Sequence, residues 1–266
     1  MLQKRFVDAD GNLNAFRRHS GSHFRTSPGN LFVEGHLYSL ESEDGSLDPT
    51  LERELATIEA AADPIIERIV AAARRDEAPV VNRTEKEQWD LFLYFQMKRV
   101  PEFLKREKLA KAFLEKIDSG TQLLVTQHPD RRAEIEHIVS GDNRERLLRN
   151  ALVVALGVKG DLVLNALGRR GLCVLRIAEH LQKSFIIGSS PVARLGAYSL
   201  SDPTAELWLP IASDVIAGIG PFEQRTRFAP IAAPDAVRRI NATVARQSGT
   251  FAAASASLVR SLAKPR

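Results

Sequence analysis

An apolar run, Phe185-Ile186-Ile187, ends in Gly188-Ser189-Ser190-Pro191. Two adjacent hydroxyls at such a strand end can bind a phosphate or a carboxylate through side-chain and backbone donors. Ser190 lacks the flanking glycines of a nucleophile elbow, so acyl transfer has little support. The competing reading is a turn whose serines satisfy their own backbone. A second group, Gln96-Met97-Lys98-Arg99-Val100-Pro101, closes an aromatic-rich helix. Gln96 and Arg99 share a helix face and can converge on one partner. An arginine beside apolar residues clamps a carboxylate or phosphate in bidentate fashion. Arg99 can equally tether Glu54 or Glu59 of the preceding helix. With Asn241, from a late helix, the candidate ligand-binding set is Gln96, Arg99, Ser189, Ser190 and Asn241, and no catalytic residue is assigned.

Other chemistry has less behind it. His128, Glu134, Glu136 and His137 form a local cluster, but their spacing is neither that of a His-Glu-x-x-His helix nor that of a finger, so no metal is predicted. His19, His23 and His36 read as surface histidines. Asp8-Ala9-Asp10-Gly11-Asn12 resembles the opening of a calcium loop, yet the ligand spacing breaks down and no Glu closes it. Gly157-Val158-Lys159-Gly160 is too short for a phosphate loop, and dinucleotide signatures are absent, so no cofactor is expected. The single Cys173 lies in Leu172-Cys173-Val174-Leu175 and reads as a small buried hydrophobe.

A net charge of +4 does not by itself mark a nucleic-acid binder. Its distribution is uneven. No acidic residue follows Asp235, whereas Arg238, Arg239, Arg246, Arg260, Lys264 and Arg266 do. Such a segment can lie on a polyanion or nucleic acid, through Arg238, Arg239 and Arg246, or can be a solvated helix face. Unbroken apolar runs such as 151–158 fall well short of the roughly 20 residues that span a bilayer, so no membrane partner is expected. The start, Met1-Leu2-Gln3-Lys4-Arg5-Phe6, lacks the pattern of a signal peptide, and the expected compartment is the cytoplasm.

These side chains need elements to position them. Asp10-Gly11 predicts a β-hairpin over 6–17, and Leu31 to Tyr38 a further strand. From Asp48 the period becomes helical: Leu51, Leu55, Ile58, Ala62, Ile65, Ile66 and Ile69 predict a helix to about Arg75, with Pro64 as a kink site. Thr84 and Glu87 have capping-box spacing for a second helix to about Arg99, and Pro101 opens a third through Phe113. Pro129 to Ile138 and Asn143 to Leu156 follow. Strands return at Leu172 to Ile177, Ser184 to Gly188, Glu206 to Ile211 and Asp214 to Gly220. Pro234-Asp235 opens a helix, and Thr250 to Ala263 reads as another. The expected fold is α+β, one domain over 1–266: a mixed, mainly antiparallel sheet from the N-terminal and C-terminal thirds, covered by a helical layer from 48–168.

In order along the chain stand Leu2 to Phe6 and Asp8 to Arg17, then Tyr38, and then the Glu-rich helix Glu52-Arg53-Glu54-Leu55-Ala56-Thr57-Ile58-Glu59. Gln96-Met97-Lys98-Arg99-Val100-Pro101 follows. Later come Phe185-Ile186-Ile187-Gly188-Ser189-Ser190-Pro191-Val192, Leu209-Pro210-Ile211-Ala212-Ser213 and Ile240-Asn241. This succession resembles the bacterial domain of unknown function family 4238 over nearly the whole chain. Two departures stand out: the family's opening His-x-Val-Pro segment is not found here, and Ser189 occupies the place of the family's Asp. If that carboxylate does chemistry in relatives, the substitution removes it here.

Two function classes remain. One is an interaction or sensor protein, of the accessory kind that bacteria carry against phage or on mobile elements. The other is a hydrolase-like or nucleic-acid-processing enzyme built from Arg99, Ser189, Ser190 and Asn241 with a histidine base.

Overall fold

Leu55, Ala62, Ile65, Ile66 and Ile69 recur at helical spacing, and all are buried along α1, Thr50–Arg74. The helix runs on through Pro64 without ending there. Its C-terminus closes in a Schellman motif, with Asp76 N–H on Ala73 O (3.1 Å) and Glu77 N–H on Ala72 O (3.0 Å). Asp76 takes the left-handed position, φ 60°, that glycine usually fills. The computed structural model describes residues 1–33, 35–98, 107–196, 199–223 and 225–264. Together they form an α+β fold whose strands are mostly antiparallel.

The chain divides into two compact units, one of Met1–Val33, Thr57–Met97 and Gly160–Arg266, the other of Glu34–Ala56 and Lys98–Lys159. The first unit holds two sheets. In the four-stranded sheet the order is β2 (Ser22–Thr26), β1 (Leu13–Arg17), β11 (Thr250–Ala253), β6 (Ile187–Gly188), antiparallel throughout. The five-stranded sheet runs β10 (Arg227–Ile231), β5 (Arg170–Ile177), β9 (Val215–Glu223), β8 (Glu206–Pro210), β7 (Ala193–Leu195), with only β10 and β5 parallel. Gly218 sits where a Cβ would lie 1.8 Å from Leu207 O, so the β8–β9 approach admits glycine alone. This unit also contains most of α1, α2 (Arg83–Lys98, up to Met97), α6 (Asp161–Gly168), α7 (Pro234–Gln247) and α8 (Ala256–Ala263). Trp89, Phe92 and Leu93 of α2 are fully buried, each worth about 2 kcal/mol by removal from water.

The second unit is mainly helical: α3 (Glu107–Gln127), α4 (Arg132–Ile138) and α5 (Gly141–Gly157), with the short pair β3 (Leu40–Glu41) and β4 (Leu47–Asp48). Asn150 of α5 holds β3 by accepting from Glu41 N–H (2.9 Å) and donating to Glu41 O (2.8 Å). Asp118 of α3 pairs with Arg144 of α5 at 2.7 Å.

Several local expectations are corrected. Asp8 to Asn12 is a turn and not a hairpin: Asp8 Oδ1 accepts from Asp10 and Asn12 N–H at 3.0 and 2.9 Å. The hairpin is β1–β2, and among the described residues no strand precedes β1. Arg25 pairs with both Asp8 and Asp10, at 2.8 and 2.5 Å, which occupies the acidic pair with the protein's own cation. The strand expected at 31–38 is not formed by its described residues, because Phe32 and His36 adopt φ 61° and 56°, which no ladder accommodates. The capping box is Asn82–Glu85, reciprocal at 3.0 Å each way, not Thr84–Glu87. Thr250–Ala253 is a strand inside a sheet, and only Ala256–Ala263 is helical, because pairing with β1 and β6 outweighs alanine's helix preference. Arg99 and Pro101 lie outside the described residues.

One stretch, Gly141–Gly168, reaches a mean hydropathy of 1.6 over an 18-residue window and by length and composition alone could cross a membrane. Apolar content spread around single polar residues produces this, which a search for unbroken runs passes over. Within the fold it is two helices, α5 and α6, parted at 158–160. Lys98 Nζ donates to Ala155 O (2.7 Å) and Val158 O (2.8 Å) at the end of α5.

Candidate functional site

Three of the five candidate residues meet along one seam, between α7 and the segment 184–192. Asn241 lies on the inner face of α7, 2% exposed. Its Nδ2 donates to Ser184 O (2.8 Å) and its Oδ1 accepts from Ile186 N–H (3.1 Å). One and a half to two turns on, at the helix end, Gln247 and Ser248 continue the pattern. Gln247 Nε2 donates to Ser190 O (2.6 Å) and Val192 O (2.8 Å). Ser248 Oγ accepts from Ser190 N–H (3.2 Å) and donates to Ser190 O (3.3 Å). Ser189 Oγ accepts from the N–H groups of Gly249 (3.1 Å) and Thr250 (3.4 Å). A Cβ at Gly188 would fall 2.1 Å from Ser248 Oγ, so this glycine is required by the close approach of helix and strand.

The seam is a backbone-reading brace. Both lone pairs of Ser189 Oγ face backbone N–H groups, so attack on an electrophile would break the turn that holds the oxygen. Gln96 lies elsewhere, half-buried on α2, and Arg99 falls outside the described residues. Sequence reasoning misses Gln247 and Ser248; a polar pair at a helix end before Gly249 is the signal that could have found them.

The outer face of α7 is basic. Arg239 and Arg246 are both exposed and seven residues apart, which places them on one face about 10 Å apart along the axis. Arg238 reaches Asp235 at 3.5 Å, with both side chains well exposed. At the helix C-terminus Arg18 donates to Ala245 O (2.7 Å) and Ser248 O (3.4 Å), where the helix dipole favours a cation. Arg17 lies over the Phe24 ring at 5.2 Å. Packed against α7, β1 and β11, α8 exposes Arg260, with Lys264 at its end.

Several other charged groups are matched internally. Glu134 and Glu136 are taken by Arg131 (2.7 Å) and Arg132 (2.8 Å). Among the described residues, no three His, Cys, Asp or Glu side chains converge as a metal site requires. An open groove at the end of α1 is lined by Arg68, Ala71, Arg75, Val80 and Glu85, but Arg68 pairs with Glu85 and Arg75 with Glu77. Asp90 on α2 is buried beside Lys86, whose Nζ lies 2.6 and 2.5 Å from its oxygens and 3.3 Å from Leu167 O. Burial pushes the Asp90 carboxyl up to about 6, against the pull of Lys86. Arg176, nearly buried in β5, is held by Asp76 at 2.8 and 2.9 Å.

The family profile described as "Protein of unknown function (DUF4238)" matches residues 1–257. No curated protein and no solved structure gives a significant match.

Proposed function

We propose that this chain, which belongs to the DUF4238 family, is an interaction protein that engages a polyanion along the outer face of α7. The observation that carries the reading is the pairing of a carboxylate-free chain after Asp235 with two exposed arginines, Arg239 and Arg246, on one helix face. Arg18 adds a further exposed cation at the C-terminal end of that helix, bound to carbonyl oxygens and not to an acid. Guanidinium groups in this arrangement offer forked donors to phosphate or sulfate oxygens. The hydrolase reading has less support, since the Ser189 hydroxyl and the Asn241 amide bond backbone groups of the seam, and Ser190 is held there by its own backbone N–H and carbonyl.

Neutralising phosphates releases counterions, so affinity must fall steeply with salt. In titrations of heparin and of mixed-sequence nucleic acid between about 50 and 200 mM salt, log K should fall linearly with log salt. The double variant Arg239→Ala/Arg246→Ala should lower that slope by about 1.5, since each phosphate left without its arginine takes away roughly 0.7–0.9. Absence of binding at the low-salt end, or a slope the variant leaves unchanged, would overturn the proposal.

A further inference from the structure

The β1–β2 hairpin places an aromatic surface beside the basic one. Phe16 and His23 are cross-strand partners with ring centroids 4.7 Å apart, and Phe16 also meets Phe251 of β11 at 5.6 Å. Phe16 is buried while His23 is exposed, so the imidazole is backed by an aromatic ring and open on its outer side. Arg18 is the first turn residue after β1, two residues beyond Phe16 in the chain. Arg18 is also the residue that grips the last carbonyls of α7, one of them next to Arg246. Arg18 therefore links the end of α7, where Arg246 stands, to the hairpin that carries the Phe16-backed ring of His23.

A cationic track leading to an open aromatic face suits a ligand with both phosphates and free π-faces. Heparin and polyphosphate have no such faces, and in a duplex they are stacked between neighbours. Unpaired bases offer them at every position. We infer that the polyanion is single-stranded nucleic acid, its phosphates on Arg239, Arg246 and Arg18 and a base stacked on His23. This inference rests on the polyanion reading above.

The test is fluorescence anisotropy of the full chain with a labelled mixed-sequence single strand, the same sequence as a duplex, and labelled heparin. The single strand should bind more tightly than the duplex. His23→Ala should weaken single-strand binding about tenfold, the scale of one base stack, and leave heparin and duplex binding unchanged. His23→Phe should restore it, because the ring and not the proton is needed. Thermal melts of both variants check that the exposed substitution leaves the fold intact. If His23→Ala has no effect, or if duplex and heparin bind as well as the single strand, the stacking inference is overturned and the polyanion reading stands. If none of the three ligands binds, the polyanion reading fails and this inference falls with it.

Discussion

At the scale of single residues, the clearest departures from ordinary behaviour are Asp90 and Asp76. Asp90 is only 4% exposed, and its desolvation outweighs the adjacent Lys86. A carboxyl whose folded pKa is raised from 3.8 to about 6 holds its proton longer in the folded state than in the unfolded chain. Its contribution to stability is therefore fully present below about pH 4 and lost as the pH rises through about 6, about 3 kcal/mol in all. Asp90→Asn removes the titration, so its stability relative to the native chain should improve steadily from about pH 4 to about pH 7 in denaturant melts. A difference that stays constant across that range would refute the assignment. Asp76 occupies a helix C′ position where glycine costs less, and its carboxylate on Arg176 explains why an acid stands there. Asp8 shows the opposite shift: the Asn12 backbone N–H, and then Arg25, hold its carboxyl below the usual range.

At the scale of elements, α7 does two jobs with two faces. The inner face carries Val237, Ile240, Asn241, Val244 and Ala245 into the core, and with Gln247 and Ser248 fixes the backbone from Ser184 to Val192. Asn241→Ala would leave the buried Ile186 N–H and the half-buried Ser184 O without the amide that bonds them, at about 3 kcal/mol in chemical denaturation. Ser189→Ala removes only an acceptor at the turn and should cost about 1 kcal/mol. Equal losses in the two variants would argue against the brace. The outer face bears Arg239 and Arg246, whose side chains serve no hydrogen bond of the seam, and their replacement should alter binding and not melting. The periodicity of this helix is legible in the sequence from Val237, Ile240 and Val244. Which of its polar residues face inward is not, because Asn241 is recognised only once 184–186 lies alongside it.

At the scale of the whole molecule, the ends of the sequence meet. β11, from the last third, lies between β1, from the first, and β6. A chain ending at Gly249 would lose an interior strand and expose the ladders of β1 and β6 at once. It should fail to give a cooperative melt and should aggregate. A truncated chain that melts like the full one would contradict the strand order.

The sequence by itself determined the α+β class, the long helix α1, the return to strands from Leu172 onward and the basic, acid-free segment after Asp235. Each of these depends on local periodicity or composition, which are properties of neighbours in the chain. The tertiary structure decided the rest. It made a strand of Thr250–Ala253, an alanine-rich segment whose own preference is helical, because interior pairing on both edges outweighs a few tenths of a kcal/mol per residue. It turned Phe32 and His36 out of a strand into left-handed turns. It also gathered Ser189, Ser190 and Asn241 into a brace, and drew Arg18 to the end of α7, a separation of 227 residues in sequence. Pairings at that separation depend on which surfaces are buried together, and no window of neighbouring residues contains that information.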